Sequence, residues 1–224
     1  MKNLFWILSL VSVCLFAQEN QSNDKEEMEK KYGGFGKSDR LHLQVFNDVW
    51  MNLPDSGTYS WYNPGFNMNF LQEFKFGSSN FSFAVGAGIS AHNFNFQAEM
   101  LKDSNDYITF HPFAEKKDKY KLVLSYVDLP IEFRYRTKGD NVFRVYVGGK
   151  IGYMMSNHIK MIDDGLKTKT YNLSSLLKYR YGLTLTVGYK LMNIYAYYSL
   201  SHLFEKNKGP EMYPISVGIS FIPF

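Results

Sequence analysis

Residues 126–153 read YVDLPIEFRYRTKGDNVFRVYVGGKIGY, and charged and apolar side chains alternate along them with a period of two. The charges fall on even positions, at Asp128, Glu132, Arg134, Arg136, Arg144 and Lys150, whereas odd positions carry Val127, Leu129, Ile131, Phe133, Val147 and Tyr153. A period of two is that of a β-strand, whose successive side chains point to opposite faces. The turn residues at 138–141 divide the stretch, which therefore predicts two neighbouring strands with one polar and one apolar face.

The same alternation continues through the chain after Arg40. Eight runs show it, near 40–50, 65–76, 81–93, 122–136, 142–156, 175–190, 194–204 and 213–224. No segment of comparable strength has helical periodicity, so no crossover helices are expected and neighbouring strands should pair antiparallel. The sequence therefore predicts an all-β chain.

The connections between these runs alternate in length. Residues 77–80, 137–141 and 191–193 are tight turns, whereas longer polar connections span 51–64, 94–121, 157–174 and 205–212. All short turns then lie at one end of the strands and all long loops at the other, as in outer-membrane barrels. The runs also reach the ~9 to 11 residues that a strand needs to cross a bilayer. We therefore predict an eight-stranded antiparallel up-and-down transmembrane β-barrel.

Alternation alone does not show which face lies inside, because an exported soluble barrel that carries lipids would turn its apolar face inward. Glycines recur on the polar face, at 86, 88, 148, 152, 182, 188 and 218, where they leave room inside a narrow tube. Tyr135, Tyr153, Tyr179 and Tyr189 lie near the ends of the apolar faces, as lipid-interface aromatics do. Both features favour the membrane barrel, and the soluble barrel is the alternative.

The first 39 residues predict export. Lys2 precedes an apolar run at 4–16, and FAQ at 16–18 is typical of a signal cleavage site, so residues 1–17 are interpreted as a signal peptide. A helical anchor and a lipoprotein start at Cys14 are the alternatives. Residues 18–39 are polar and predict a flexible leader before a barrel at 40–224.

Charge and cysteine content exclude other classes. The net charge of +4 is too small to indicate a nucleic-acid partner. Cys14 is the only cysteine and lies in the predicted signal peptide, so no disulfide framework is expected in the mature chain.

The chain after Arg40 resembles the small outer-membrane β-barrel proteins common in Bacteroidetes, a porin-family group with the eight-strand shape of the OmpA and OmpX barrels. The resemblance rests on YVDLPIEFRYR at 126–136, YGLTLTVGYK at 181–190, VGISFIPF at 217–224 and FAQ at 16–18. Pro223 departs from the alternation toward the terminal phenylalanine that the barrel-assembly machinery recognises. The resemblance implies the outer membrane of a Gram-negative cell, with outer-membrane lipid and the assembly machinery as partners.

The polar face of such a barrel would line its lumen. We expect a lumen ion-pair network of Glu73, Lys75, Asp128, Glu132, Arg134, Arg136, Arg144, Lys150 and Arg180, because buried charges are costly unless they are paired. Glu132, Arg134 and Arg144 should cluster, joined by Glu73. We interpret the network as a plug that fills a narrow barrel, with a proton or solute path as the alternative. Pro130 lacks an N–H group and predicts a bulge in its strand.

No pattern predicts catalysis, a metal site or another cofactor. Ser201 and His202 are adjacent, so on a strand they would point to opposite faces and could not act as nucleophile and base. The five histidines are scattered without metal-ligand spacing and are interpreted as surface or rim residues. In the long loop at 94–121, Tyr107, Phe110 and Phe113 lie among charges and form either a binding surface or a loop packed on its own base.

Two function hypotheses follow. The first is a structural or surface-interaction protein whose loops meet envelope or external partners. The second is a component of envelope secretion or transport machinery that resembles the PorT-type barrels. A narrow solute pore and a membrane enzyme are further alternatives.

Overall fold

The computed structural model describes residues 39–54, 60–113, 119–138, 142–190 and 192–222. They form eleven strands, namely β1 Leu41–Met51, β2 Pro64–Lys75, β3 Phe81–Asn95, β4 Ala98–Lys102, β5 Ile108–Pro112, β6 Lys119–Arg136, β7 Phe143–Asp163, β8 Leu166–Tyr171, β9 Tyr179–Tyr189, β10 Met192–Ser199 and β11 Tyr213–Phe221. The predicted signal peptide, the leader except Asp39, and Pro223 and Phe224 lie outside the described residues. No helix among the described residues is long and apolar enough to cross a membrane.

Eight of the strands form a closed antiparallel ring in the order β1, β2, β3, β6, β7, β9, β10 and β11. The ring is continuous because β6 pairs with β7 and the first ring strand, β1, pairs with the last, β11. Closure supplies partners along the strand edges, and lipid requires this because it offers no hydrogen bonds. The predicted all-β barrel is confirmed.

Two connections that the sequence predicts as loops contain strands instead. β4 pairs with β5 inside the connection at 94–121, and β7 runs on to Asp163 before it turns back into β8. Asp164 and Gly165 in this turn have φ angles of 45° and 78°, the left-handed conformation that tight hairpin turns use. The wall of the barrel therefore continues beyond the strand lengths that the alternating runs indicate.

The ring turns its apolar side chains outward over most of its height. On β6, Val127, Leu129, Ile131 and Phe133 are 37–55% exposed, whereas Asp128 between them is fully buried. The other ring strands expose residues such as Phe70, Ile89, Ile151, Leu183, Ile194 and Val217. This is the opposite of a soluble carrier barrel and gives the outer surface an apolar belt that suits lipid.

β6 also shows where the belt ends. Toward its N-terminal end the inward positions become apolar, and Leu122, Leu124 and Tyr126 are buried. The outward positions there become mostly polar, with Lys119, Lys121 and Ser125 beside Val123. The side chains keep their parity while the polarity of the two faces largely reverses, so the apolar belt of β6 ends near Tyr126 and the wall continues beyond it.

The predicted bulge at Pro130 is wrong in its position. The register between β6 and β7 shifts between Ser125 and Tyr126, and Pro130 stays opposite Lys150. On the β3 side, the ladder is interrupted between the pairs Val85–Ile131 and Gly88–Asp128, and it resumes in the same register. Because proline lacks an N–H donor, a gap in one ladder accommodates it without an extra residue.

Candidate functional site: a filled lumen

A layer of six charged side chains, which we call the basal layer, crosses the lumen near the short turns. It contains three carboxylates, Asp39, Glu73 and Glu132, and three guanidinium groups, Arg134, Arg136 and Arg144. Arg144 Nε lies 2.6 Å from Asp39 Oδ2, and Arg134 Nε donates to Glu132 Oε2 at 2.8 Å. Arg136 lies 3.2 Å from Asp39 and 3.6 Å from Glu73. The layer therefore has no net charge and is connected by ion pairs.

Asp39 is the centre of the basal layer, and the sequence assigns it to the leader instead. It is buried just before β1, and its side chain accepts hydrogen bonds from Arg144 and from the Tyr146 hydroxyl of β7. β1 and β7 are on opposite sides of the ring, so these contacts cross the full width of the lumen. The structure thus joins Arg134 to Glu132 as expected from the sequence but brings Arg144 to Asp39.

A second layer, the central layer, lies farther from the short turns and contains Asp48, Asp128, Lys150 and Arg180. Arg180 Nη2 lies 2.8 Å from Asp128 Oδ2, and Lys150 Nζ lies 3.6 Å from the same oxygen. Arg180 Nη1 also donates to His92 Nε2 at 2.6 Å. Two carboxylates face two cations, so this layer is also neutral.

His92 connects the two carboxylates of the central layer. Because its Nε2 accepts from Arg180, its Nδ1 carries the proton and donates to Asp48 Oδ2 at 2.7 Å. The Ser216 hydroxyl donates to Asp48 Oδ1 at 2.6 Å. The resulting chain of contacts includes side chains from β1, β3, β6, β7, β9 and β11 and holds the wall together from inside.

Aromatic rings and glycines complete the central layer. The Arg180 guanidinium lies 3.9 Å from the Tyr126 ring centroid, and Lys150 Nζ lies 4.4 Å from that of Tyr197. Such cation–π contacts stabilise cations that have left water. A Cβ atom at Gly152 would lie 2.3 Å from Asp128 Oδ1, so a larger residue there would have to displace this carboxylate.

Beyond the central layer the lumen is filled by an apolar cluster, which we call the aromatic core. Its buried members include Trp50, Phe94, Phe96, Met100, Ile108, Phe110, Leu122, Leu124, Leu176, Phe204 and Met212. The rings of Trp50 and Phe94 are 4.3 Å apart. The β4–β5 hairpin contributes Met100 and Phe110, and the backbone N–H of Ile108 donates to the Lys208 carbonyl at 3.0 Å. The hairpin therefore packs against the aromatic core at the long-loop end of the barrel.

The loop aromatics of the predicted binding surface belong largely to this core. Phe110 is buried, and Phe113 is half-buried with its ring 5.4 Å from that of Tyr120. Tyr107 is also half-buried. The structure thus corresponds to the alternative in which the loop packs on its own base.

The remaining candidate residues lie outside the lumen or on its rim. Lys75 is exposed at the end of β2, on the same parity as the buried Glu73. Tyr153, Tyr179 and Tyr189 are exposed on the outer surface, and Tyr135 is half-buried there. The Tyr153 and Tyr179 rings are 5.1 Å apart on neighbouring strands.

The expectation that every histidine lies at the surface or rim is wrong for two of them. His42 and His92 are buried in the lumen, and His42 Nε2 lies 3.2 Å from Arg134 Nη2. Their positions share the polar parity of β1 and β3, a signal that was present in the sequence. His202 lies after the end of β10 and contacts the Tyr213 hydroxyl at 3.2 Å, while Ser201 contacts Ser199.

Residues 20–205 match the family described as outer membrane protein beta-barrel domain. The match covers most of the chain, and the protein therefore belongs to this family. No curated protein matches the sequence. The chain is an outer-membrane β-barrel with a network of buried salt bridges inside it.

Proposed function

We propose that the protein is a closed, non-conducting and non-catalytic barrel that serves as a structural or surface-interaction protein of the outer membrane. The observation that carries this proposal is that buried side chains cross the lumen at three levels. Two neutral charge layers span the tube, and the aromatic core lies beyond them. An eight-strand barrel is narrow enough for side chains to fill it completely.

The balance of charge supports a plug over a path for ions. Selective pores use rings of like charge or rows of carbonyl groups that exchange bound ions readily. In the central layer, by contrast, Asp128 is held by both Arg180 and Lys150, and Asp48 by His92 and Ser216. An ion that enters must displace these partners, and no net charge attracts it.

Conductance in planar bilayers tests the proposal. The full-length mature protein is refolded, and its folding is checked by heat-modifiable migration on gels. We expect no steady single-channel steps from the wild type. A variant that removes the cross-lumen contact in a charge-neutral way, D39S/R144S, should also show no steady steps, because the central layer and the aromatic core still block the tube. Uniform steps from the folded wild type would overturn the proposal.

A role in envelope secretion machinery is the second candidate, and the open edge of β8 favours it. Among the described strands β8 pairs only with β7 and ends the strand order, and all six of its side chains are exposed. Such an edge can accept a strand from another chain. Cross-linking in intact membranes followed by pull-down of the barrel tests this role. Reproducible recovery of envelope proteins would support it, and recovery of the barrel alone would count against it.

A further inference from the structure

A row of lysines lies on the outer surface where the wall extends beyond the apolar belt. Lys121 of β6 is directly opposite Lys160 of β7, and Lys160 is directly opposite Lys169 of β8. We call these three residues the lysine row. Residues that are directly opposite on neighbouring strands point to the same face, so three ammonium groups share one strip of surface. Asn95 of β3 continues the strip on its other side.

The lysine row is unfavourable for the protein alone. Like charges directly opposite each other destabilise a sheet. Partial burial and the neighbouring Lys119, Lys160 and Lys169 lower the pKa of the Lys121 ammonium group below its usual value. Partial burial together with Lys169, Lys121 and Lys160 likewise lowers the pKa of His158, which lies one position along the strip.

The lysine row also lacks carboxylate partners within the described part of the chain. Lys121 Nζ donates to the neutral Asn93 Oδ1 at 2.6 Å, and no described carboxylate forms a salt bridge with Lys121, Lys160 or Lys169. Two other lysines at this end of the barrel are paired with carboxylates. Lys102 lies 2.7 Å from Asp106, and Lys208 lies 2.5 Å from Glu205. Among the described residues the repulsion in the row is therefore uncompensated, as expected where an external anion binds.

The height of the row above the belt indicates the kind of anion. Lys121 is six residues beyond Val127, the last exposed apolar residue of β6. At about 3.3 Å per residue and a tilt of about 40°, it lies about 15 Å beyond the belt. The row faces sideways from the wall, toward the surrounding leaflet. The outer leaflet of an outer membrane consists of lipopolysaccharide, whose core sugars carry phosphate and carboxylate groups.

We propose that the lysine row, with Asn95 and His158 beside it, binds the anionic core sugars of lipopolysaccharide in the outer leaflet. The ammonium groups replace the divalent cations that otherwise neutralise these sugars, and bound anions relieve the repulsion between the lysines. Binding is strengthened because the ligand is anchored in the same membrane as the barrel, which raises its effective concentration. An acidic protein segment fits the charge but not the sideways orientation toward lipid.

Binding of purified lipopolysaccharide to the refolded full-length mature protein in detergent tests this proposal. The test variant is K160Q/K169Q, which removes two exposed charges from the row. The matched control is K102Q/K206Q, which removes the same charge from the same end of the barrel. We expect the affinity of K160Q/K169Q to be roughly tenfold or more below that of wild type, and the control to be close to wild type. Wild-type binding should weaken with added salt, and the variant should depend less on salt.

Three results would overturn the proposal. The first is equal binding by K160Q/K169Q and K102Q/K206Q. The second is undiminished binding of lipopolysaccharide from which the core phosphates have been removed and the carboxylates blocked. The third is tighter binding of polyglutamate than of lipopolysaccharide, which would assign the row to an acidic protein.

Stability measurements separate lost binding from lost folding. Without lipopolysaccharide, K160Q/K169Q should unfold at the same or a higher urea concentration than wild type, because its repulsion is reduced. Unfolding at a lower urea concentration would contradict the uncompensated repulsion on which the proposal depends. None of these measurements depends on whether the lumen conducts, so this proposal and the closed-barrel proposal can fail separately.

Discussion

The charge layers and the aromatic core fill the same tube with opposite chemistry. On β6, Asp128 and Arg134 point inward at the level of the belt, whereas Leu122 and Leu124 point inward beyond it. The difference follows from what surrounds the wall. Beyond the belt the outside is water, and the hydrophobic effect drives apolar side chains inward as in a soluble protein. At the belt the outside is lipid, so apolar side chains gain nothing by moving inward, and paired polar groups fill the space.

The comparison also predicts different responses to substitution. In the charge layers, stability depends on keeping every partner, because one charge left alone in a buried place is costly. In the aromatic core, stability depends on volume, because each removed methylene group loses burial and leaves a cavity.

The largest expected effect comes from Asp128→Leu in the central layer. Arg180 and Lys150 would both lose their shared carboxylate, and we expect the free energy of unfolding to fall by about 4 kcal/mol. Urea titration of the barrel in lipid vesicles measures this change. Glu211→Leu, at an exposed position, is the control and should change stability by less than about 0.5 kcal/mol. A loss below about 1 kcal/mol for Asp128→Leu would show that the central layer is hydrated and not a plug.

A smaller loss is expected from Leu122→Ala in the aromatic core. Leu122 is fully buried, and its truncation should lower the free energy of unfolding by about 3 kcal/mol. The same titration measures it, with Val123→Ala on the outward face of β6 as the matched control, which should lose clearly less. If both substitutions lower the free energy of unfolding equally, the aromatic core does not stabilise the barrel as a packed interior would.

The boundary between the two regions can be located by placing a lysine on the outward face of β6. Ile131→Lys puts a charge within the belt and should lower the free energy of unfolding in lipid vesicles by about 2 kcal/mol or more. Ser125→Lys lies just beyond the belt and should cost about 0–1 kcal/mol. The two variants add the same side chain to the same face of one strand. Equal costs would mean that the lipid does not end near Tyr126.

The alternation in the sequence was sufficient to predict the strands, their antiparallel pairing and the outward apolar face. It did not predict the full height of the wall, because the polarity reversal at Tyr126 makes Lys121 look like the end of a loop when one pattern is expected throughout. The Asp164–Gly165 pair was a usable signal for the β7–β8 hairpin, since this dipeptide favours tight hairpin turns.

The partners inside the lumen were harder to predict than the faces. Parity shows that Arg144 points inward, but which carboxylate it meets depends on how the strands are staggered around the ring. Asp39 precedes the first alternating run and has no periodic context, so no pattern marked it as part of the barrel. His42 and His92 have the parity of the lumen-facing positions on their strands. Isolated histidines are more often exposed, however, and this general tendency favoured the surface interpretation over the pattern.

The contact between Asp39 and Arg144 has a consequence for assembly. Asp39 immediately precedes β1, and Arg144 is on β7 at the opposite side of the ring, so they meet only when the wall has its final curvature. A partly formed sheet would carry Arg144 and Arg134 without the oxygen atoms of Asp39 that they bind in the folded protein. Unpaired cations are costly in lipid. The ion pair therefore stabilises the closed barrel, and a barrel that enters the membrane before its ring is complete is less stable. The contacts of Asp39 therefore stabilise the closed ring and are absent from a partly formed sheet.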